Sequence, residues 1–413
     1  MKRVAIISTT FPPLSGGGGV ASAHYNLYRQ LRNQGYEVKV FTFNDDGKAS
    51  DSKASLTDDV VRFGLSRSEI KKLNRCNYIR RKIDQWILRK PADNQLNFQH
   101  YILQRANIAA KKINKLFIEY NPQIVFLPSN GVPISSLVKL PNARYFLICH
   151  HNPMQYIGNP LMDEHSLIDA QKAIDVEQKS LFKIDVVISV SNYMKSLFIQ
   201  TFKFDKSIVV LPNIVDDAYI NTIEKIDLHH FMKMDSNFPI VYIPAGGMKT
   251  KGEQFVIELM RRISKALSNE VGFYISGKLN KAQEFELSFL NSYHLHVFVA
   301  GDITNEQNIA QVKDCALCVS PTHTENYSMA FIESLFMGIP CVAFEIGGNA
   351  DIVLNDKTGY LVPYCDMEQM IEKSINILRS KGLIKQLKIS IAAFNKEKSA
   401  TEIARQYIKL IES

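Results

Sequence analysis

The chain has 413 residues, 49 of them basic and 41 acidic, for a formal net charge of +8. Hydrophobic residues make up 46% and charged residues 22%, ordinary values for a folded globular protein that exclude a disordered, collagen-like or rod-like chain. At roughly 150 residues per domain the length fits two or three domains, and no apolar run reaches the roughly 18 to 20 residues that span a bilayer.

The chain starts Met1-Lys2-Arg3 and then has only four apolar residues, 4–7, before polar Ser8. That is too short for a signal-peptide core, so the expected location is cytoplasmic. Residues 2–8 form a β-branched run, the predicted first strand. A loop through Gly16, Gly17, Gly18 and Gly19 follows. Residues 20–34 then show helical periodicity through Ala23, Leu27 and Leu31, stopped by Gly35. Residues 36–43 read as a second strand. Strand, glycine loop, helix and strand predict a right-handed parallel unit with its loop at the carboxyl edge. The loop has neither a P-loop lysine nor GxGxxG spacing. Its glycines still let the backbone approach a ligand at the next helix N-terminus.

Residues 67–90 carry nine basic and two acidic side chains, nearly the whole charge excess. Ile70, Leu73, Ile79, Ile83, Trp86 and Ile87 recur at helical spacing, and Trp86 is the only tryptophan. A basic amphipathic helix with an aromatic anchor suits an anionic membrane surface, with Arg75, Arg80, Arg81, Lys82 and Trp86 as the expected contacts. A helix whose apolar stripe lies in the core has the same pattern. Nucleic acid is not expected as a partner, since no recognition motif accompanies the charge.

Further strands are predicted at 124–127, 145–149, 186–190 and 208–211. A second series follows at 240–245, 271–276, 296–300, 316–320 and 340–344. Helical segments alternate with it, including 252–267, 305–313 and 329–337. The fold class is therefore α/β, two doubly wound Rossmann-like domains facing across a cleft, with parallel sheets covered on both faces. The expected bounds are 1–213 and 214–394, with the crossover in the polar stretch 214–236. A terminal segment, 395–413, is expected to pack its helix back on the first domain.

Cysteines at 76, 149, 315, 318, 341 and 365 are too scattered for a disulfide framework. Cys315 and Cys318 form a CxxC inside an apolar run, which reads as buried packing. The histidines show no metal-ligand spacing. His150 and His151 follow the strand at 145–149, and Lys249 and Lys251 lie in a loop after Gly246 and Gly247.

Residues 324–343 carry the densest signal. Glu325 precedes a helix and Glu333 lies within it, eight positions on, a little over two turns, so both carboxylates are expected along one side. The helix start offers the amides of Ser328, Met329 and Ala330 to an anion. A capped helix with two solvated glutamates shows the same spacing. The order of motifs is more specific. Glu325 and Glu333 are followed by Gly338-Ile339-Pro340, Gly347-Gly348-Asn349-Ala350-Asp351-Ile352-Val353 and Thr358-Gly359-Tyr360-Leu361-Val362-Pro363. Upstream stand Ser189-Val190-Ser191 and Leu211-Pro212-Asn213-Ile214-Val215-Asp216. This series resembles glycosyltransferase family 4, retaining enzymes of the GT-B fold, and the resemblance covers most of the chain.

The resemblance implies a nucleotide diphosphate sugar as donor and a glycan acceptor, expected to be lipid-linked, at the inner membrane face. It implies His150, Lys251 and Glu325 as catalytic residues. His150 and Glu325 would face the transferred sugar, and Lys251 would neutralise the departing diphosphate. Donor binding falls to Gly18, Gly19, Gly246, Gly247, Lys251, Ser328, Met329, Ala330 and Glu333, with Glu333 on the ribose hydroxyls. No metal or other cofactor is implied, since protein cations and helix dipoles replace it. Two departures stand out. Ser328 occupies a place where the family has glycine. The family arginine is missing near Gly247, and Lys249 cannot supply its bidentate fork. The second departure motivates one alternative, a non-catalytic binding subunit; a sugar-nucleotide epimerase on the same fold is another, which fits the order of motifs less well.

Overall fold

The computed structural model describes the chain except residues 1, 9–10, 13–17, 44–53, 58, 88–97, 130–135, 158–166 and 291–294. It divides into two compact units, Met1–Leu211 with Tyr407–Ser413, and Pro212–Gln406.

The first unit is built on strands β1 (Arg3–Ser8), β2 (Glu37–Phe43), β3 (Ala54–Thr57), β4 (Val60–Phe63), β5 (Ile124–Pro128), β6 (Arg144–Cys149), β7 (Val186–Ser189) and β8 (Ser207–Val210). They form one sheet in the order β3-β4-β2-β1-β5-β6-β7-β8. All neighbours are parallel except the edge pair β3 and β4. Val4, Ala5, Ile6 and Ile7 of β1 are fully buried. That is the continuous apolar run a central parallel strand needs when both its faces are covered. The helices are α1 (Gly19–Asn33), α2 (Arg67–Trp86), α3 (Phe98–Tyr120), α4 (Leu167–Gln178) and α5 (Asn192–Thr201). Helix α1 buries Ala23, Leu27 and Leu31, and the chain leaves it through Gly35 in the left-handed region (φ +84°).

Helix α2 opens with a capping box. Ser66 Oγ accepts from Glu69 N, and Glu69 Oε2 accepts from Ser66 N. Lys112 of α3 then holds Glu69 at 2.6 Å. Beyond this anchored end the apolar stripe is not covered by described residues: Tyr78, Ile79, Ile83, Trp86 and Ile87 are exposed, Trp86 by 84%.

The second unit holds α6 (Asp217–Thr222), α7 (Leu228–Met232), β9 (Ile240–Ile243), α8 (Glu253–Ala266), β10 (Gly272–Ile275), α9 (Lys281–Leu290), β11 (His296–Val299), α10 (Asn305–Val312), β12 (Leu317–Ser320), α11 (Met329–Phe336), β13 (Cys341–Phe344), β14 (Gly359–Val362), α12 (Met367–Arg379), α13 (Lys381–Lys398) and most of α14 (Ala400–Glu412). Its sheet runs β11-β10-β9-β12-β13-β14, parallel throughout. The stretch 214–236, expected as the crossover, has structure of its own. It folds as α6 and α7 and buries Ile214, Val215, Ile220, Leu228 and Met232. Asp216 and Asp227 cap the two helices.

The end of α14 belongs to the first unit. Tyr36 Oη donates to Glu412 Oε1 at 2.9 Å, the Tyr407 ring lies 6.2 Å from that of Phe126, and Arg144 Nη1 donates to the carbonyls of Leu410 and Ile411. The six cysteines are free, and Cys149, Cys315, Cys318 and Cys341 are buried as small apolar side chains.

Candidate functional site

In the second unit the loops at the carboxyl ends of β9 and β12 carry the lysine and the first glutamate. After β9 the chain turns at Ala245, whose φ of +50° is left-handed. Its amide is held by Ser276 Oγ at 3.0 Å. The turn then packs against other backbone. A Cβ at Gly247 would stand 2.0 Å from the Lys278 carbonyl oxygen, and one at Gly252 would stand 2.0 Å from that of Pro321. The missing arginine thus has a physical reason: position 247 has no room for any side chain. Gly246 is nearly as tight, 2.9 Å from the Ile275 side chain, and its carbonyl accepts from Gln283. Lys249 is exposed, whereas Lys251 is half-buried.

The Lys251 ammonium contacts Glu325 Oε2. Glu325 lies in the loop before α11, because that helix begins only at Met329. The eight-residue spacing therefore does not act as helical spacing, and a different device holds Glu325. Gly348 N donates to the Glu325 carbonyl at 2.8 Å. Gly347, in the left-handed region (φ +51°), packs so closely that a Cβ would be 2.0 Å from that carbonyl. Ser328 is the N-cap of α11, its Oγ accepting from Phe331 N at 3.4 Å. A glycine could not offer this cap, so the departure at 328 has a structural function. The amides of Met329 and Ala330 lie in the first turn, where a helix has no carbonyls to bond them.

Phe331, Ile332 and Leu335 are buried, whereas Met329 and Glu333 are half-exposed. Burial against protein on the remaining sides pushes the Glu333 carboxyl up to about 7, and a hydrogen bond from the Asn305 side chain pulls it part of the way back. Its charge is felt by Tyr242 of β9, which places it over the same sheet edge. This unit therefore brings together Gly246, Gly247, Lys251, Glu325, Ser328, Met329, Ala330 and Glu333.

In the first unit, Gly18 is the N-cap of α1 in extended conformation, with open space where a Cβ would be. Neither strain nor the chain's own packing requires glycine there. Gly18 and Gly19 are exposed, and Gly16 and Gly17 lie outside the described residues. His150 follows β6 and is buried. Its neighbour is His24 of α1, a residue that no sequence pattern singles out. That ring meets His150 edge-on at 5.2 Å, and its Nδ1 lies 2.8 Å from Ser8 Oγ at the end of β1. Burial lowers His24 to about 4, and burial together with His24 holds His150 well below the ordinary range. Both imidazoles are therefore neutral hydrogen-bonding groups at neutral pH.

Of the expected membrane contacts, Arg75, Lys82 and Trp86 are exposed on α2, and Lys82 Nζ sits 5.8 Å from the Tyr78 ring centre. The side chains of Arg80 and Arg81 lie outside the described residues. No helix among the described residues is long and apolar enough to cross a membrane. One group among them has metal-donor geometry, at residues whose sequence spacing gives no such signal: Asp227, His229 and Asp314. Lys225 already neutralises Asp314 at 2.7 Å, and His229 bridges Asp314 and the Phe238 carbonyl. The group serves as a fastening between α7 and the segment after α10.

Two family models match the chain: Glycosyltransferase Family 4 over residues 17–219 and Glycosyl transferases group 1 over residues 230–396. Among curated proteins, the chain is 21% identical over 313 residues to a capsular polysaccharide biosynthesis glycosyltransferase, CapM, of Staphylococcus aureus, a match taking in 71% of this chain and 78% of that one. It is 21% identical over 203 residues to the N-acetyl-alpha-D-glucosaminyl L-malate synthase of Bacillus anthracis, 48% of this chain and 51% of that one. The chain spans about half the length of the first curated relatives it matches. Among solved structures, sucrose-phosphate synthase from Thermosynechococcus elongatus shares the fold over 100% of this chain and 98% of its own, with a TM-score of 0.73 and 16% identity. With both units matched and the GT-B fold in common, the chain belongs to the family 4, or group 1, glycosyltransferases.

Proposed function

We propose that the protein transfers a sugar, with retention of configuration, from a nucleotide diphosphate sugar to a lipid-linked glycan at the cytoplasmic face of an anionic membrane. The observation that carries this reading is the Lys251–Glu325 contact beside the start of α11. It puts a cation, a carboxylate and a helix N-terminus within one loop cluster. A diphosphate would draw Lys251 from Glu325 and take the first-turn amides of α11, while Glu325 turns to the sugar hydroxyls. Lys251 then stabilises charge on the leaving oxygen, where preorganised electrostatics act most strongly on rate. Glu333 as carboxylate accepts the ribose hydroxyls, and His150 hydrogen-bonds the transferred sugar. No side-chain nucleophile is assigned. The acceptor hydroxyl attacks from the face the diphosphate leaves, and its proton passes to the departing phosphate. No metal is required in this scheme.

The membrane part rests on α2, where basic residues flank exposed Ile83, Trp86 and Ile87. The capsular polysaccharide and the N-acetyl-glucosaminyl L-malate named for the relatives above make UDP-N-acetylglucosamine the first donor to test. A thermal-shift panel of UDP, GDP, UDP-glucose, UDP-N-acetylglucosamine and GDP-mannose tests the donor class. A ligand at one hundred times its Kd adds about 2.7 kcal/mol to stability. A chain stabilised by none of them would refute the reading.

One observation favours a second reading, a binding subunit without transfer: the crowded Gly247 turn that admits no arginine. It predicts donor binding without nucleotide release.

A further inference from the structure

The lysine turn and the glutamate loop are fastened to each other through residues that neither motif contains. The Thr250 carbonyl, immediately before Lys251, accepts from His323 N at 2.9 Å and from Thr322 Oγ1 at 3.1 Å. The same Thr322 hydroxyl lies 3.0 Å from the Thr324 carbonyl, immediately before Glu325. One buried hydroxyl, with one proton, thus faces the carbonyls that precede both members of the ion pair. On the other side of Lys251, Gln254 Nε2 lies 2.6 Å from His323 Nε2, and His323 Nδ1 lies 2.9 Å from Tyr364 Oη. His323 is itself buried. Gly252 closes the gap between the segments by seating its backbone on the Pro321 carbonyl. Lys251 is therefore tied at residues 250, 252 and 254 to the segment that presents Glu325.

We propose that Thr322 and His323 are positioning residues for Lys251 and Glu325, setting the distance between cation and carboxylate as the donor enters. This rests on the reading of that pair as the groups touching the donor. The Thr322 hydroxyl and the His323 amide bond main-chain carbonyls, so they fix where each side chain starts rather than its charge. A long lysine can reach a diphosphate from several starting points, so ground-state binding tolerates a shift. Charge stabilisation at the leaving oxygen does not, since displacements near 1 Å can lower a rate by about a hundredfold.

The test uses nucleotide release from whichever of UDP-glucose, UDP-N-acetylglucosamine and GDP-mannose stabilises the full chain most. Thr322→Val removes the hydroxyl at similar shape, and Thr322→Ser restores it. The expected result is a fall in kcat of about 10- to 100-fold for the valine variant, with KM within about threefold, and recovery to within about threefold in the serine variant. Gln254→Leu changes an exposed side chain, and it should lower kcat by about 3- to 10-fold, again with KM held. This variant carries the test if Thr322→Val fails to fold. Wild-type kcat in Thr322→Val or, where that variant is unfolded, in Gln254→Leu overturns the proposal, as does a rise in KM alone. Lys251→Ala and Glu325→Ala run in parallel. Loss of release in both with no effect at Thr322 and Gln254 removes only the positioning role, whereas full activity in both removes the reading beneath it.

Discussion

Lys251 and Glu325, 74 residues apart in sequence, neutralise each other, with 27% and 12% of their side chains exposed. The contact keeps each charge in place without a donor and leaves each with a competitor when one arrives. Removing one partner strands the other in a half-buried site, whereas removing both does not. Each alanine variant should therefore lose about 1 to 3 kcal/mol of stability. The double variant should be no less stable than the worse single one. Chemical denaturation of the four proteins checks this coupling.

Three glycines differ in what they hold. At Gly347 an alanine meets both a left-handed φ and the Glu325 carbonyl, and at Gly247 it meets the Lys278 carbonyl. Gly347→Ala and Gly247→Ala should each cost about 2 kcal/mol or more. Gly18→Ala has open space and extended backbone, and should change stability by less than about 0.5 kcal/mol. Thermal melts of the three variants separate packing glycines from one that the chain's own packing does not demand.

Glu333 makes stability depend on pH. Its folded value, about 7, lies above its usual 4.5. Between those values the folded chain holds a proton that the unfolded chain has released. Stability from this group is therefore present below 4.5 and declines as pH rises through 7. Glu333→Gln should flatten that decline and melt higher than wild type at pH 8. Donor affinity of the wild type should instead rise across the same window, with proton release, because only the carboxylate accepts both ribose hydroxyls. Calorimetry in two buffers of different ionisation enthalpy reads the proton.

Much of this was legible in sequence. The apolar runs of β1 and β9 through β13 predicted parallel strands, and the order of motifs from Ser189 to Pro363 pointed to the fold and the paired glutamates. The fastening of Glu325 was not legible. It depends on a backbone approach by Gly347 and on a threonine hydroxyl spanning 72 residues to Thr250, and neither leaves a periodic trace. His24 was hidden for a related reason, since its α1 position reads as ordinary helix face until the ring of His150 is placed beside it. The helices in 214–236 escaped because two short turns capped by aspartates look polar overall.

Helix α2 should hold the chain on anionic vesicles. Replacing Arg80, Arg81 and Lys82 by neutral residues should weaken binding by about 1 kcal/mol each, roughly fivefold per residue. Trp86→Ala should weaken it further, and donor binding should not change in either variant. Sedimentation with phosphatidylserine vesicles measures the first effect, and thermal shift with the nucleotide measures the second.

Nucleotide release from the selected donor by wild type, Lys251→Ala and Glu325→Ala, each shown to be folded, decides whether the Lys251–Glu325 pair acts on the leaving group. Wild type should turn over measurably, and both variants should lose about a hundredfold or more, in line with the removal of one charge-stabilising group. Equal turnover in all three proteins would contradict that role.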